Sequence, residues 1–353
     1  MSNKQIYELA ILGRATWELH SLNNEGTVGN VTEPRTVVLA NGKKTDAVSG
    51  EMLKHIHAMK MWELESDKSK FCKPCRELEP SKAAHNPDMK KITGKDQERK
   101  KVEKAVEDCL LCDLHGFLIP GGRGGRPVAR PSTIEFGWAV GLLPEEGVFH
   151  RGFHVHARHA VGGKKKGTTG SADTTTEASE PLEEDATSQM IYHRPTRSGQ
   201  YAVISVFRPW RIGLNNVDMT YVSGVDRDGR YKLALAAYRA LFINPEGAMT
   251  TTRLPHSGPF EGIIVYTTDN HPVPILSPLH DNYKEDIQTL AEKINTATNS
   301  DDDSKEKQKN KLNGNTPNEP VKLVTVEPFK SLDNFISILG NLGKKSPYTI
   351  KLD

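Results

Sequence analysis

An α+β fold with the element order βαββαβ is what this 353-residue sequence predicts, and three observations predict it. Residues 6–19 (IYELAILGRATWEL) alternate well enough to read as a long first strand. From Ser49 to about Glu63, Met52, Ile56 and Met59 recur at helical spacing with Leu53 beside them. Residues 148–158 and 189–208 read as strands flanking a glycine-, threonine- and acid-rich segment, 161–188, that has nothing to bury. They are the arms of a long hairpin. A helix at about 230–242 and a strand at 262–267 complete the order, which is the plan of an RRM-like, ferredoxin-type domain with insertions.

The other segments fill in around that frame. Residues 21–34 (SLNNEGTVGNVTEP) are punctuated by glycine and asparagine and read as irregular. On the first helix Lys54, His55 and His57 lie towards the faces away from the apolar stripe. A second helix carries Val102, Ala105, Val106 and Cys109 on one face. Residues 281–298 are helical in pattern, 299–320 read as a disordered linker, and a strand at 321–327 and a helix at 330–341 close the chain against the palm. The palm is therefore residues 1–160 and 189–298, interrupted by an insertion at about 65–118, with 161–188 as the hairpin tip.

That insertion is defined by cysteine spacing. All four cysteines fall in two CxxC pairs, Cys72–Cys75 and Cys109–Cys112, with 33 residues between the pairs. Each pair directs two sulfurs at one ion, and four thiolates close a tetrahedral zinc site with no open position for catalysis. A structural zinc would staple down the polar, lysine-rich excursion from Glu77 to Lys104. Unrelated buried thiols or a redox dithiol are the alternatives, although Cys72 does not open a helix in a βαβ unit as a redox pair would. His115 is a possible replacement for one sulfur.

Composition narrows the class without naming it. No apolar run approaches ~18 residues, which excludes a membrane helix, and the polar start MSNKQ has no signal-peptide character. A cytoplasmic location is expected, which also favours metal over disulfide. The net charge is only +2, but residues 113–170 hold eight Lys/Arg against four acids, and 171–187 hold six acids and no base.

Two segments have the chemistry of phosphate contact. The loop PGGRGGRPVARPS (120–132) offers glycines for close backbone approach and the forked donors of Arg123, Arg126 and Arg130; a solvated surface loop is the plain alternative. The helix start at Ser49–Gly50, with Lys54 and His55 a turn later, offers exposed N–H groups; the plain alternative is an ordinary capped helix. His150, His154, His156 and His159 read as a basic strand face rather than a metal site, since no carboxylate stands at ligand spacing. His256 reads as a loop histidine without a positioned partner. No GxSxG, HExxH or Walker motif is present, so the residues point to backbone contact without chemistry.

Six segments in order resemble one family: LNNEGTVGNVTEPRTV (22–37), VSGEMLKHIHA (48–58), CDLHGFL (112–118), RPSTIEFGWAVGL (130–142), QMIYHRPTRSGQYAV (189–203) and ALFINPEGAMTTTRLPH (240–256). The chain is similar to the DevR-type CRISPR-associated autoregulators, the repeated backbone (RAMP) subunit of type I Cascade, subtype I-A or I-B. The resemblance implies an RRM palm with a hairpin thumb, stacked with further copies of itself along one guide RNA (crRNA) and joined by other Cascade subunits. Target DNA would be engaged through the crRNA, because base pairing reads sequence while protein grips backbone. Carried onto this chain, the implied RNA contacts are Asn24, Arg35, Ser49, Lys54, His55, Arg123, Arg126, Arg130, Arg151, Arg194 and His256. A ribonuclease of the same superfamily, cutting target or precursor RNA, is the second reading; its loop after the first strand offers only Glu25 and Glu33, where related subunits use aspartate. A zinc-containing transcriptional regulator is the third, and it lacks helix-turn-helix spacing.

Overall fold

The computed structural model describes residues 5–121, 125–146, 149–159, 189–247, 250–309 and 322–351. The expected hairpin tip, the 164–166 lysine run and Arg123 lie outside them. The fold is mixed α+β, built on a large, mainly antiparallel sheet. Strand β1 (Leu9–His20) is its centre, and its alternation is buried on both sides. Leu9, Ile11, Ala15 and Trp17 enter one core, while Ala10 and Leu12 enter a second on the opposite face. A strand covered on both faces has few polar positions to spare, which is why this stretch is legible as a strand and nothing else.

After β1 the chain makes β2 (Asn24–Val28), β3 (Val31–Pro34), β4 (Thr36–Val38) and β5 (Lys44–Val48). The expectation of an irregular 21–34 is thereby corrected. Gly29 takes a left-handed φ of +59° at the turn between β2 and β3, and Asn30 and Val31 then bond to the next sheet strand at His193. Polarity was a poor guide here because the hairpin is held by backbone bonds and leaves most side chains of β2 exposed.

Helix α1 (Gly50–Leu64) starts where expected, at an N-cap Ser49 whose hydroxyl accepts from Met52 N–H. His57 does not face outward, however. It is fully buried, its Nε2 set 3.1 Å from the carbonyl of Ala234 and its Nδ1 3.0 Å from His115 Nε2. The insertion follows as four short or medium helices, α2 (Lys73–Arg76), α3 (Pro87–Lys91), α4 (Gln97–Asp108) and α5 (Leu110–His115), and a small hairpin of β6 (Phe117–Ile119) and β7 (Val128–Arg130). Val102, Ala105 and Val106 form the buried face of α4 as read, but Cys109 lies beyond its end and caps α5.

The sheet resumes with β8 (Ile134–Phe136), β9 (Ala139–Gly141), β10 (His150–His159) and the 19-residue β11 (Gln189–Phe207). β10 and β11 pair antiparallel from His150↔Ser198 to His159↔Gln189, so the arms of the long hairpin are present. A small pair, β12 (Leu214–Asn215) and β13 (Thr220–Tyr221), precedes α6 (Arg227–Ile243) and β14 (His256–Thr267). β1 lies between β11 and β14, antiparallel to both. Gly13 faces Gly262 in that register, where a Cβ on Gly13 would come within 2.9 Å of the Phe260 ring. α7 (Tyr283–Lys309) runs into the segment expected to lack structure, and residues 310–321 lie outside the described part. β15 (Val324–Phe329) extends the sheet beside β14, and α8 (Leu332–Leu342) closes the core. Tyr283, Ile287 and Ala291 of α7 cover the second face of β1.

Burial pushes His57 down to about 3, against a smaller opposing effect of its bond to Ala234, and burial drives His115 well below its usual range as well. Both imidazoles are neutral in the fold. Between pH 6.5 and about 3 the unfolded chain binds protons that the folded chain refuses, so this contribution is present above pH 6.5 and lost as pH falls. Urea titrations are expected to show stability falling below pH 6.5, by up to about 1.4 kcal/mol per pH unit for each such histidine. The same slope should be shallower in His57→Phe.

Candidate metal centre and nucleic-acid interface

The four cysteines meet. Cys72 precedes α2, Cys75 lies within it, Cys109 caps α5 and Cys112 lies one turn later, its N–H directed at Cys109 Sγ at 3.4 Å. All four sulfurs are buried and lie within 4.8 Å of one another. Cys72 and Cys75 each stand 3.8 Å from Cys112. That spacing is far from the ~2.05 Å of a disulfide, and it equals the ~3.8 Å edge of a tetrahedron of sulfurs at ~2.3 Å from a central ion. The residues therefore fit a four-sulfur metal site. Among the described residues the ligand group consists of these cysteines alone. His115 is engaged with His57 instead.

The protonation pattern agrees. Burial opposes ionisation of Cys109, yet hydrogen bonds from Cys112, Cys72 and Cys75 bring its thiol well below the usual range. Cys75 and Cys112 are pushed up, first by their bonds to Cys109. The four thiols act on one another's ionisation, and a divalent cation is what would let the set ionise together.

Asp113, next to Cys112, is wholly buried and ties the insertion to α6 and to the Gly213 amide. Its carboxylate accepts from Arg130, from Arg230 Nη1 at 2.6 Å and from the Gly213 amide at 3.0–3.1 Å. Arg130, expected at a phosphate, is accordingly a structural residue. The residue is 4% exposed, and its guanidinium donates to the Asp113 carboxylate and to the carbonyls of Asp113, Leu214 and Arg211. Of the glycine-rich segment, Val128–Arg130 form β7, and the exposed Arg126 before it lines a cleft with Asp96, Glu98 and Asp218.

The helix start is also closed. Ser49 is buried, its amide donates to Asn23 Oδ1 at 2.8 Å, and Gly50 packs so tightly on Phe136 that a Cβ would lie 2.3 Å from its carbonyl oxygen. The ordinary capped helix is what the geometry shows there. One turn on, Lys54 is half-buried, its pKa lowered by burial and then by Lys82, and His55 is exposed.

Most of the remaining expected contacts gather at the base of the long hairpin. Arg197, buried and unforeseen, donates to the carbonyls of Asn23, Arg35 and Ala47. Around it stand Asn24, Arg35 (paired with Glu25 at 2.9 Å, its guanidinium 5.7 Å from the Trp138 ring centre) and Arg151, which faces Arg197 across the β10–β11 ladder. Arg151 Nε donates to the buried Asp46 at 2.8 Å. Arg194 lies over Tyr192 at 4.8 Å, and the exposed His256 pairs with Glu18 near the same end of β1. Residues 193–200 (HRPTRSGQ) are polar and already contain Arg194, so no signal in the sequence sets Arg197 apart as the buried one. Arg35, Arg194, Trp138 and Tyr192 give this end of the sheet a mixed cationic and aromatic surface of the kind that holds phosphate and ribose.

The profile of the family described as CRISPR-associated negative auto-regulator DevR/Csa2 matches residues 11–288. The chain belongs to that family. Among solved structures this DevR/Csa2 chain is similar to a chain of a CRISPR RNA-guided surveillance complex in a pre-nicking state, at 13% identity and a TM-score of 0.41, covering 76% of this chain and 80% of that one. A second CRISPR RNA-guided surveillance complex gives 13% identity and a TM-score of 0.38, covering 82% and 84%. No curated protein sequence matches. Among the described residues of the DevR/Csa2 chain no helix is long and apolar enough to cross a membrane.

Asp113→Ala would strand Arg130 in the interior without its counter-charge. It is expected to cost about 3–5 kcal/mol, read as a lowered urea midpoint, whereas Arg126→Ala should leave the midpoint unchanged.

Proposed function

We propose that this chain is a non-catalytic backbone subunit of a type I Cascade effector, of subtype I-A or I-B, in which copies of it line up along a crRNA. Membership of the DevR/Csa2 family over residues 11–288 is the observation that carries the reading. The palm would hold the ribose-phosphate strand at the base of the long hairpin, through Asn24, Arg35, Arg151, Arg194 and His256, with Lys54 and His55 on the adjoining helix. Ser49 and Arg130 serve the fold in this scheme, Ser49 by capping α1 and Arg130 by bonding Asp113. The bases remain free to pair with target DNA, and other Cascade subunits complete the assembly.

The four cysteines hold zinc in this reading. A d¹⁰ ion suits four thiolates with no preferred angle beyond the tetrahedral one, and a closed set of four leaves it a structural role. The ion would join α2 to α5 and so fasten the insertion that Asp113 ties to the palm.

Two measurements test the proposal. Purified protein should bind single-stranded RNA of any sequence, with log affinity falling linearly in log salt by about 0.7 per phosphate neutralised, and the RNA should be recovered intact with or without magnesium. Arg194→Ala should weaken binding equally for all sequences and shallow the salt slope by roughly that one increment. Sequence-selective, salt-insensitive binding or cut RNA would overturn the reading. For the metal, elemental analysis should find close to one zinc per chain, and Cys112→Ser should lose it.

A further inference from the structure

One cation is built into the wall of the cysteine cluster. Lys82 opens a 3-10 turn, Lys82–His85, in the middle of the insertion. Its backbone is left-handed, at φ +49°, a conformation that a residue with a side chain adopts only when its surroundings hold it there. The holding bonds run to both halves of the cluster. On one side the Lys82 amide donates to Glu79 O at 3.2 Å, and the Glu79 amide donates to the carbonyl of Pro74, the neighbour of Cys75. On the other side Lys82 Nζ donates to the carbonyls of His115 at 3.2 Å and Gly116 at 3.0 Å, where α5, the helix of Cys112, ends. Lys82 thus spans the two cysteine-bearing segments, its backbone tied to the one that holds Cys75 and its ammonium to the end of the helix that holds Cys112.

Charge gives this placement a purpose. Four thiolates around a divalent ion carry a net charge of −2, and burying that charge is costly unless a cation stands near. Four other basic side chains of the insertion are committed elsewhere: Lys70 to Glu65, Lys91 to Asp88, Lys104 to Asp108, Arg76 to the carbonyl of Phe71. Lys82 forms no ion pair with a carboxylate among the described residues; burial lowers its pKa, and the groups that oppose this are Cys112, Cys75 and Cys109.

We propose that Lys82 is the counter-cation of the metal centre, a positioning residue that offsets the charge of the four thiolates and so sets how tightly the ion is held. This rests on the zinc reading above and deepens it. The Nζ–carbonyl bonds give the alternative, a purely mechanical clamp, and two substitutions separate them. Lys82→Gln keeps an N–H donor for the carbonyls and removes the charge; Lys82→Arg keeps the charge and changes the donor geometry.

The experiment is competition for zinc between a chelating dye and the purified full-length protein, with cobalt substitution as a second readout through its thiolate charge-transfer absorption. Lys82→Gln is expected to lose about 10–100-fold in zinc affinity and to need correspondingly more cobalt to reach the wild-type spectrum, while Lys82→Arg stays near wild type. Should Lys82→Gln not fold, Lys82→Met supplies the same charge removal. Equal affinities for wild type and the neutral variants overturn the inference, as does an arginine variant as weak as the glutamine one. A wild-type protein that takes up no zinc or cobalt fails the zinc reading itself, an outcome distinct from both because every variant then behaves alike.

Discussion

The guanidinium of Arg197 occupies a place where a hydrophobic cluster would ordinarily stand. The segments it touches, around Asn23, Arg35 and Ala47, come from polar stretches that have little apolar surface to offer one another. Five N–H donors in a fixed plane can gather several carbonyls at once, and each carbonyl so bonded is spared the penalty of burial without a partner. The charge is tolerated at a cost, since burial lowers the pKa of Arg197 while Tyr201 and Asp46 oppose that. Next door, burial first and Arg197 second keep His20 neutral, with its Nε2 2.7 Å from the Tyr201 hydroxyl. The outward-facing side chains of this region, Asn24, Arg35 and Arg151, keep their positions because the inward-facing one is fixed.

A second polar anchor works on the same principle with the signs reversed. Asp113 is a carboxylate at the centre of Arg130, Arg230 and the Gly213 amide, and its chain neighbour is a member of the four-cysteine cluster. Two adjacent residues of α5 thereby serve two different tasks, one closing the insertion on itself and the other joining it to α6. Buried ion groups of this sort contribute little net stability when intact, but they tolerate no alternative arrangement, so they fix where the insertion sits.

Sequence legibility followed the kind of force at work. The first helix was readable to within a residue because a serine cap and an apolar stripe are local signals, and the cysteine cluster because four sulfurs in two pairs have few other uses. The arms of the long hairpin were readable because the strand-like sequence gives way abruptly to glycine, threonine and acidic residues. The β2–β3 hairpin was missed, since its stability comes from backbone pairing that composition does not report. Arg130 and Ser49 were placed at phosphates because arginine and a helix start are anion-binding in isolation. Their real partners are long-range neighbours, Asp113 at 17 positions and Asn23 at 26, which no window on the sequence contains. His57 was turned outward for the same reason: its partners are His115 and Ala234.

β11 runs unbroken for 19 residues, from Gln189 beside β10 to Phe207 in the core, a span of roughly 60 Å. Its second half is clamped between β1 and the short strands β8 and β9, and its first half pairs with β10 on one side and meets β3 on the other only at His193. Mechanically it is a cantilever whose root lies among Arg197, Tyr201 and Phe207. Any sideways load on the free end becomes a bending moment at that root, so whatever leans on the arm must contend with the stiffness of the core.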